Sequence, residues 1–131
     1  SSDVCSSDLI VDNIVIDHDQ KIININDIKT TSKDLKDFPE TIEFYNYWLQ
    51  AVIYCTIVGV KFINLYERGY KVKFNFVVID RSYQVYAFPV SDTTLGNWME
   101  KLLNVLDKAD WHYTNKDFTL PYEFATNKVI L

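Results

Sequence analysis

The chain has 131 residues, of which 48% are apolar, 15% aromatic and 24% charged, with a formal charge of −5. That length supports one domain with a buried core, and the apolar and aromatic content excludes an intrinsically disordered chain. The acidic balance shows no overall basic footprint of the kind most nucleic-acid-binding chains carry, and the only histidines, His18 and His112, are too far apart in sequence to suggest a zinc site.

Residues Ser1 to Leu9 read as the translation, in one frame, of a common short-read sequencing adapter and are set aside, so the domain is taken to run from residue 10 to residue 131 as an amino-terminally truncated piece. Without Asp3 and Asp8 the 18 acids fall to sixteen against 13 bases, a weaker excess of the same sign. Residues 10–18 and 21–29 alternate as two strands about a two-residue turn at Asp19-Gln20. Antiparallel pairing then sets Ile16 opposite Ile23, Ile14 opposite Ile25 and Asp12 opposite Asp27. Because side chains alternate with period two, Lys29 shares the face of Asp27 and Ile28 turns to the other side. Two carboxylates and an ammonium gather at one rim. Opposed carboxylates with Cβ atoms about 5 Å apart repel unless a proton or a cation lies between them, and a hard divalent metal with oxygen ligands meets that need.

A helix follows. Pro39 suits its first turn, Glu40 and Glu43 suit the positive end of its dipole, and the pattern continues past Gly59 to Arg68, where Gly69 offers a stop. On this helix Tyr47, Gln50 and Tyr54 form a polar and aromatic stripe, with Trp48, Val52 and Cys55 on a more apolar side. Cys55 reads as a small buried hydrophobe of a reduced compartment. Lys71–Ile79 and Gln84–Val90 make a second hairpin about Asp80-Arg81-Ser82, with Pro89 indicating an edge. Ser91 or Asp92 caps a helix to about Lys108, whose stripe of Leu95, Trp98, Met99, Leu102, Leu103 and Leu106 is expected to be buried. From Trp111 to Leu131 an irregular aromatic-rich tail is expected. No segment has the length and hydropathy of a membrane span.

The triplet Asp27-Ile28-Lys29 stands apart from the two other Asp-x-Lys triplets, Asp19-Gln20-Lys21 and Asp34-Leu35-Lys36, which lie in polar segments. In the order Asp12, then Asp27 with Lys29, then Gln50 with Tyr54, the chain resembles the RecB-like branch of the PD-(D/E)xK nuclease superfamily. Lys29-Thr30-Thr31 and the aromatic helix Phe44-Tyr45-Asn46-Tyr47-Trp48 look most like phage RecE-type exodeoxyribonuclease domains. The resemblance covers residues 10 to about 95 and departs at one point, since the family's glycine three residues before the first aspartate falls on Leu9.

The resemblance implies an α/β fold, a restriction-endonuclease-like mixed sheet flanked by helices and incomplete at its amino-terminal end. It implies a metal-dependent DNA exonuclease of a phage or bacterial recombination system, cytoplasmic, with double-stranded DNA as substrate and a single-strand annealing protein as partner; an oligomer is compatible with it. Asp12, Asp27 and the carbonyl of Ile28 would hold Mg²⁺ or Mn²⁺, Lys29 would serve the attacking water, and Thr30, Gln50 and Tyr54 would border the substrate. The upstream acid or histidine that completes the family's metal shell has no counterpart here, so an inactive chain is also compatible. The alternative is a catalytically inactive nuclease-fold module that binds DNA or protein.

Overall fold

The computed structural model describes residues 13–126 and 128–130. The assignments made for residues 1–9, for the start of the first strand and for Asp12 lie outside them.

Strands β1 (Asn13–Asp17), β2 (Ile22–Thr30), β3 (Lys71–Ile79) and β4 (Val85–Val90) form one mixed sheet in the order β1-β2-β3-β4. The first hairpin adopts the expected register, with Ile14 opposite Ile25 and Ile16 opposite Ile23. Its turn is longer than expected. Strand pairing ends at Asp17 and Ile22, because the Asp17 carboxylate accepts the backbone N–H groups of Asp19 and Gln20, both at 3.0 Å, and Lys21 takes a left-handed conformation at φ 55°. A four-residue turn therefore replaces the two-residue one without shifting a single pair.

β2 and β3 run parallel, with Asp27 beside Phe76 and Lys29 beside Val78. A parallel pair needs a crossover, and residues 31–70 supply it. The expected single helix is divided there into α1 (Phe38–Phe44), α2 (Tyr47–Lys61) and α3 (Ile63–Glu67), after a short 3₁₀ turn at Leu35–Asp37. The first break falls at Asn46, left-handed at φ 57°, and the second at Phe62. Periodicity carries apolar spacing across both breaks, but an asparagine that tolerates the left-handed region lets the chain turn between helices. β3 and β4 pair antiparallel through a turn fixed by Asp80, and Pro89 lies on the edge strand as expected.

One sheet face is sealed. Ile14, Ile23, Ile25, Phe74, Phe76 and Val78 pack there against Phe38, Ala51, Tyr54 and Val58 from α1 and α2. Phe76 is fully buried, with its ring centroid 5.7 Å from Phe38 and 5.0 Å from Phe74. The other face stays largely open among the described residues. It carries half-exposed Val15 and Ile28 and a row of amides in which Asn26 donates to Asn13 at 2.9 Å and Asn75 donates to Asn26 at 3.1 Å.

α4 (Asp92–Asn115) starts at a true cap, since the Ser91 hydroxyl accepts the N–H of Thr94 at 3.1 Å. The Lys73 ammonium against Asp92 in its first turn holds that carboxyl below its usual range. The helix runs seven residues beyond the expected end near Lys108, taking in Trp111 and Tyr113, and stops at left-handed Lys116. The expected buried stripe is a correction: Leu95 and Trp98 pack on the core, whereas Leu103 and Leu106 are more than half exposed. The helix lies on α2 rather than on the sheet, so only its first turns reach the core. The tail holds a further turn, α5 (Tyr122–Ala125). No helix among the described residues is long and apolar enough to cross a membrane.

Cys55 on α2 has its thiol pushed by burial from 9.0 up to about 12. The folded state therefore keeps a proton that the unfolded chain releases near 9, so this thiol's contribution is intact below pH 9 and lost as pH rises from there toward 12. In a Cys5→Ser background, labelling by a disulfide reagent at pH 8 should be slow in the native protein and complete in denaturant; urea midpoints should also fall above pH 9 more steeply than in Cys55→Ala. Phe76→Ala should cost about 3–5 kcal/mol in urea denaturation, against less than about 1 kcal/mol for Leu106→Gln, which separates the sealed face from the exposed stripe.

Candidate functional site

The alternation of β2 carries its face from hydrocarbon to charge. Ile23 and Ile25 are fully buried, Asp27 is 3% exposed, and Lys29 follows on the same side toward the carboxyl end of the strand. An ionised carboxylate at that depth requires a partner, because transfer from water to a low-dielectric interior costs several kcal/mol. Lys29 provides one, with its Nζ 3.0 Å from Asp27 Oδ2.

α2 closes over the pair. Lys29 Nζ donates to Gln50 Oε1 at 2.6 Å and sits 4.3 Å from the centre of the Tyr47 ring. The ammonium is thus held by a carboxylate, an amide oxygen and an aromatic face, three favourable contacts for one cation in a site shielded from bulk water. The spacing of Tyr47 and Gln50, three residues apart, puts both on the helix face that meets β2. This is possible because α2 starts afresh at Tyr47 after the break at Asn46. Tyr47 in turn stacks on Phe38 at 6.1 Å and on Tyr45 at 5.6 Å, so the ring under Lys29 belongs to an aromatic row that reaches the surface at Tyr45 and Phe44.

Of the residues selected from sequence, Asp27, Lys29 and Gln50 are brought together. Tyr54 lies one turn further along α2, buried with its ring 6.5 Å from that of Phe74. The Ile28 side chain is half exposed on the opposite sheet face, as the alternation requires. Thr30 is exposed at the end of β2, where it lines a cavity of about 150 Å³ together with Tyr45 and Tyr47. Asp12 is outside the described residues; the register in which it was expected to face Asp27 is observed from Asn13 opposite Asn26 onward. The sequence places Tyr47 in the helix stripe without a role at the site, and its i, i+3 relation to Gln50 is the signal that marks it as the ring beneath the lysine. The other two Asp-x-Lys triplets are peripheral, with Asp19, Lys21, Asp34 and Lys36 all exposed.

Among the described residues no group of three or more histidine, cysteine, aspartate or glutamate side chains is placed to hold a metal ion. The donor chemistry at Asp27 still fits a magnesium-type cation, which is held through one or two carboxylates, with water and substrate phosphate oxygens filling its shell. Compared with protein-family profiles, with curated proteins and with solved structures, the chain finds no match. Fold and site together define a mixed α/β domain with a buried acid, lysine and glutamine cluster under one helix.

Removing the lysine alone should be costly. Lys29→Met removes the ammonium that lies 3.0 Å from the buried Asp27 carboxylate and should destabilise the fold by about 3–5 kcal/mol at pH 7 in urea denaturation.

Proposed function

We propose that this chain carries the active-site strand of a metal-dependent deoxyribonuclease of the PD-(D/E)xK type, acting on double-stranded DNA. The observation that carries the reading is the convergence of Asp27, Lys29 and Gln50 from β2 and α2, three residues singled out from sequence by an ordered motif spanning two elements. A coincidental match of the motif would not require its strand and helix parts to meet.

On this reading Asp27 is the metal-binding carboxylate of β2, with the Ile28 carbonyl and Asp12 as the further oxygen donors. The bound Mg²⁺ or Mn²⁺ would polarise the scissile phosphate and lower the pKa of a water. Lys29, held over Tyr47 and by Gln50, would be positioned to orient that water or to offset charge developing on the phosphate. Gln50 fixes the ammonium and keeps it from serving Asp27 alone. Tyr54 and Thr30 border the two ends of the cluster. The setting that fits is a cytoplasmic recombination system of a phage or bacterium, with a single-strand annealing protein as partner.

The test is cleavage of linear duplex DNA in Mn²⁺ or Mg²⁺ beside Asp27→Asn, a near-isosteric change that removes the carboxylate charge while Gln50 and Tyr47 still hold Lys29. Asp27→Asn should keep its circular dichroism spectrum and lose at least about a hundredfold in rate. Equal cleavage by both proteins would remove Asp27 from the chemistry. A parent chain with neither cleavage nor a Mn²⁺-dependent rise in melting temperature would instead favour an inactive binding module.

A further inference from the structure

At the carboxyl end of the parallel strands the Thr30-Thr31-Ser32 segment forms a wall common to two cavities. One, of about 150 Å³, runs to Tyr45 and Tyr47 and so to the ring beneath Lys29. The other, of about 550 Å³, runs the opposite way to Arg81 and Tyr83 in the β3–β4 turn. In open α/β sheets the space beyond the carboxyl ends of the strands is where ligands commonly bind.

Both walls are pinned. The Thr31 N–H donates to the Ile79 carbonyl at 3.0 Å, and the Thr31 hydroxyl accepts the N–H of Lys33 at 3.1 Å. Across the cavity one Asp80 oxygen accepts the N–H groups of Ser82 and Gln84, both at 2.9 Å, so that oxygen is committed to its own turn. The turn holds Tyr83 at φ 61° with 86% of its surface exposed. A bulky aromatic in the left-handed region is strained, and here the strain secures no packing. What it does is present an exposed ring beside a guanidinium and three hydroxyls.

Hydroxyls and a guanidinium suit a phosphodiester backbone, and an exposed ring suits a base; the conjunction on two fixed loops fits a strand of nucleotides better than an isolated anion. We propose that this groove binds single-stranded DNA, with the backbone along Thr30, Thr31, Ser32 and Arg81, one base stacked on Tyr83, and the strand directed toward Tyr45 and Lys29. This deepens the nuclease reading and rests on it for the strand's direction, but the contacts themselves need no metal.

The experiment measures fluorescence anisotropy of a labelled twelve-nucleotide oligothymidylate with the full chain in EDTA. Tyr83→Asn, which keeps a residue tolerant of the left-handed turn and removes the ring, should weaken binding about tenfold without lowering the melting temperature. Arg81→Gln should weaken it and reduce the salt dependence by about one ion. An abasic oligomer should bind the parent chain about as weakly as the thymidylate binds Tyr83→Asn. Absence of binding, or equal affinity of the parent chain and Tyr83→Asn, would overturn the inference. Oligomer binding by a parent chain that does not cleave duplex DNA would refute the nuclease reading alone, and cleavage with an unaffected Tyr83→Asn would refute this groove alone.

Discussion

The arrangement around the site depends on one buried ion pair. Asp27 lies on the sealed face of β2, where a lone carboxylate would be untenable, and Lys29 two residues on is the nearest group that the strand itself can offer. That pairing anchors the lysine at its carboxylate end, and α2 must then present an acceptor and a ring to the rest of the ammonium. Gln50 and Tyr47 do so. Strand, helix and cation are thereby tied at one point. Replacing a buried ion pair by apolar side chains of similar volume is often neutral or stabilising, so stability alone does not account for these charges.

Much of this was legible because periodicity is a strong local signal. The isoleucines of β1 and β2 fixed a register that the structure reproduces, and the bounds of β3 were readable from its alternation and apolar end. Asp27 and Lys29 followed from the same alternation. Gln50 was found through an ordered motif, a longer-range cue than any spacing within one element. The misses share a different cause. Nothing in an apolar helical pattern announces that Asn46 takes a left-handed conformation, nor that α4 lies on α2 and leaves Leu103 and Leu106 uncovered. Such outcomes are decided by which neighbours are already in place, information a local window does not hold.

The break at Asn46 has more influence than its single residue suggests. With one continuous helix from Pro39 onward, the phase of α2 would be dictated by α1, whose Phe38 is committed to Phe76 and Phe88. Restarting the helix frees its rotation, so that Ala51, Tyr54 and Val58 face the core while Tyr47 and Gln50 meet Lys29. Phe38 and Tyr47 remain stacked across the break, so the two helices stay coupled through the same aromatic row that reaches the surface at Phe44.

The asparagines on the open side of β2 also act as a safeguard on folding. Sliding this strand by one position against its neighbours would drive Asn24 and Asn26 into the hydrocarbon and eject Asp27 and Lys29 into solvent, breaking the amide hydrogen bonds that Asn26 makes to Asn13 and Asn75. A one-residue slip is thus penalised twice, so these polar rungs help enforce the alignment on which the acid and lysine depend.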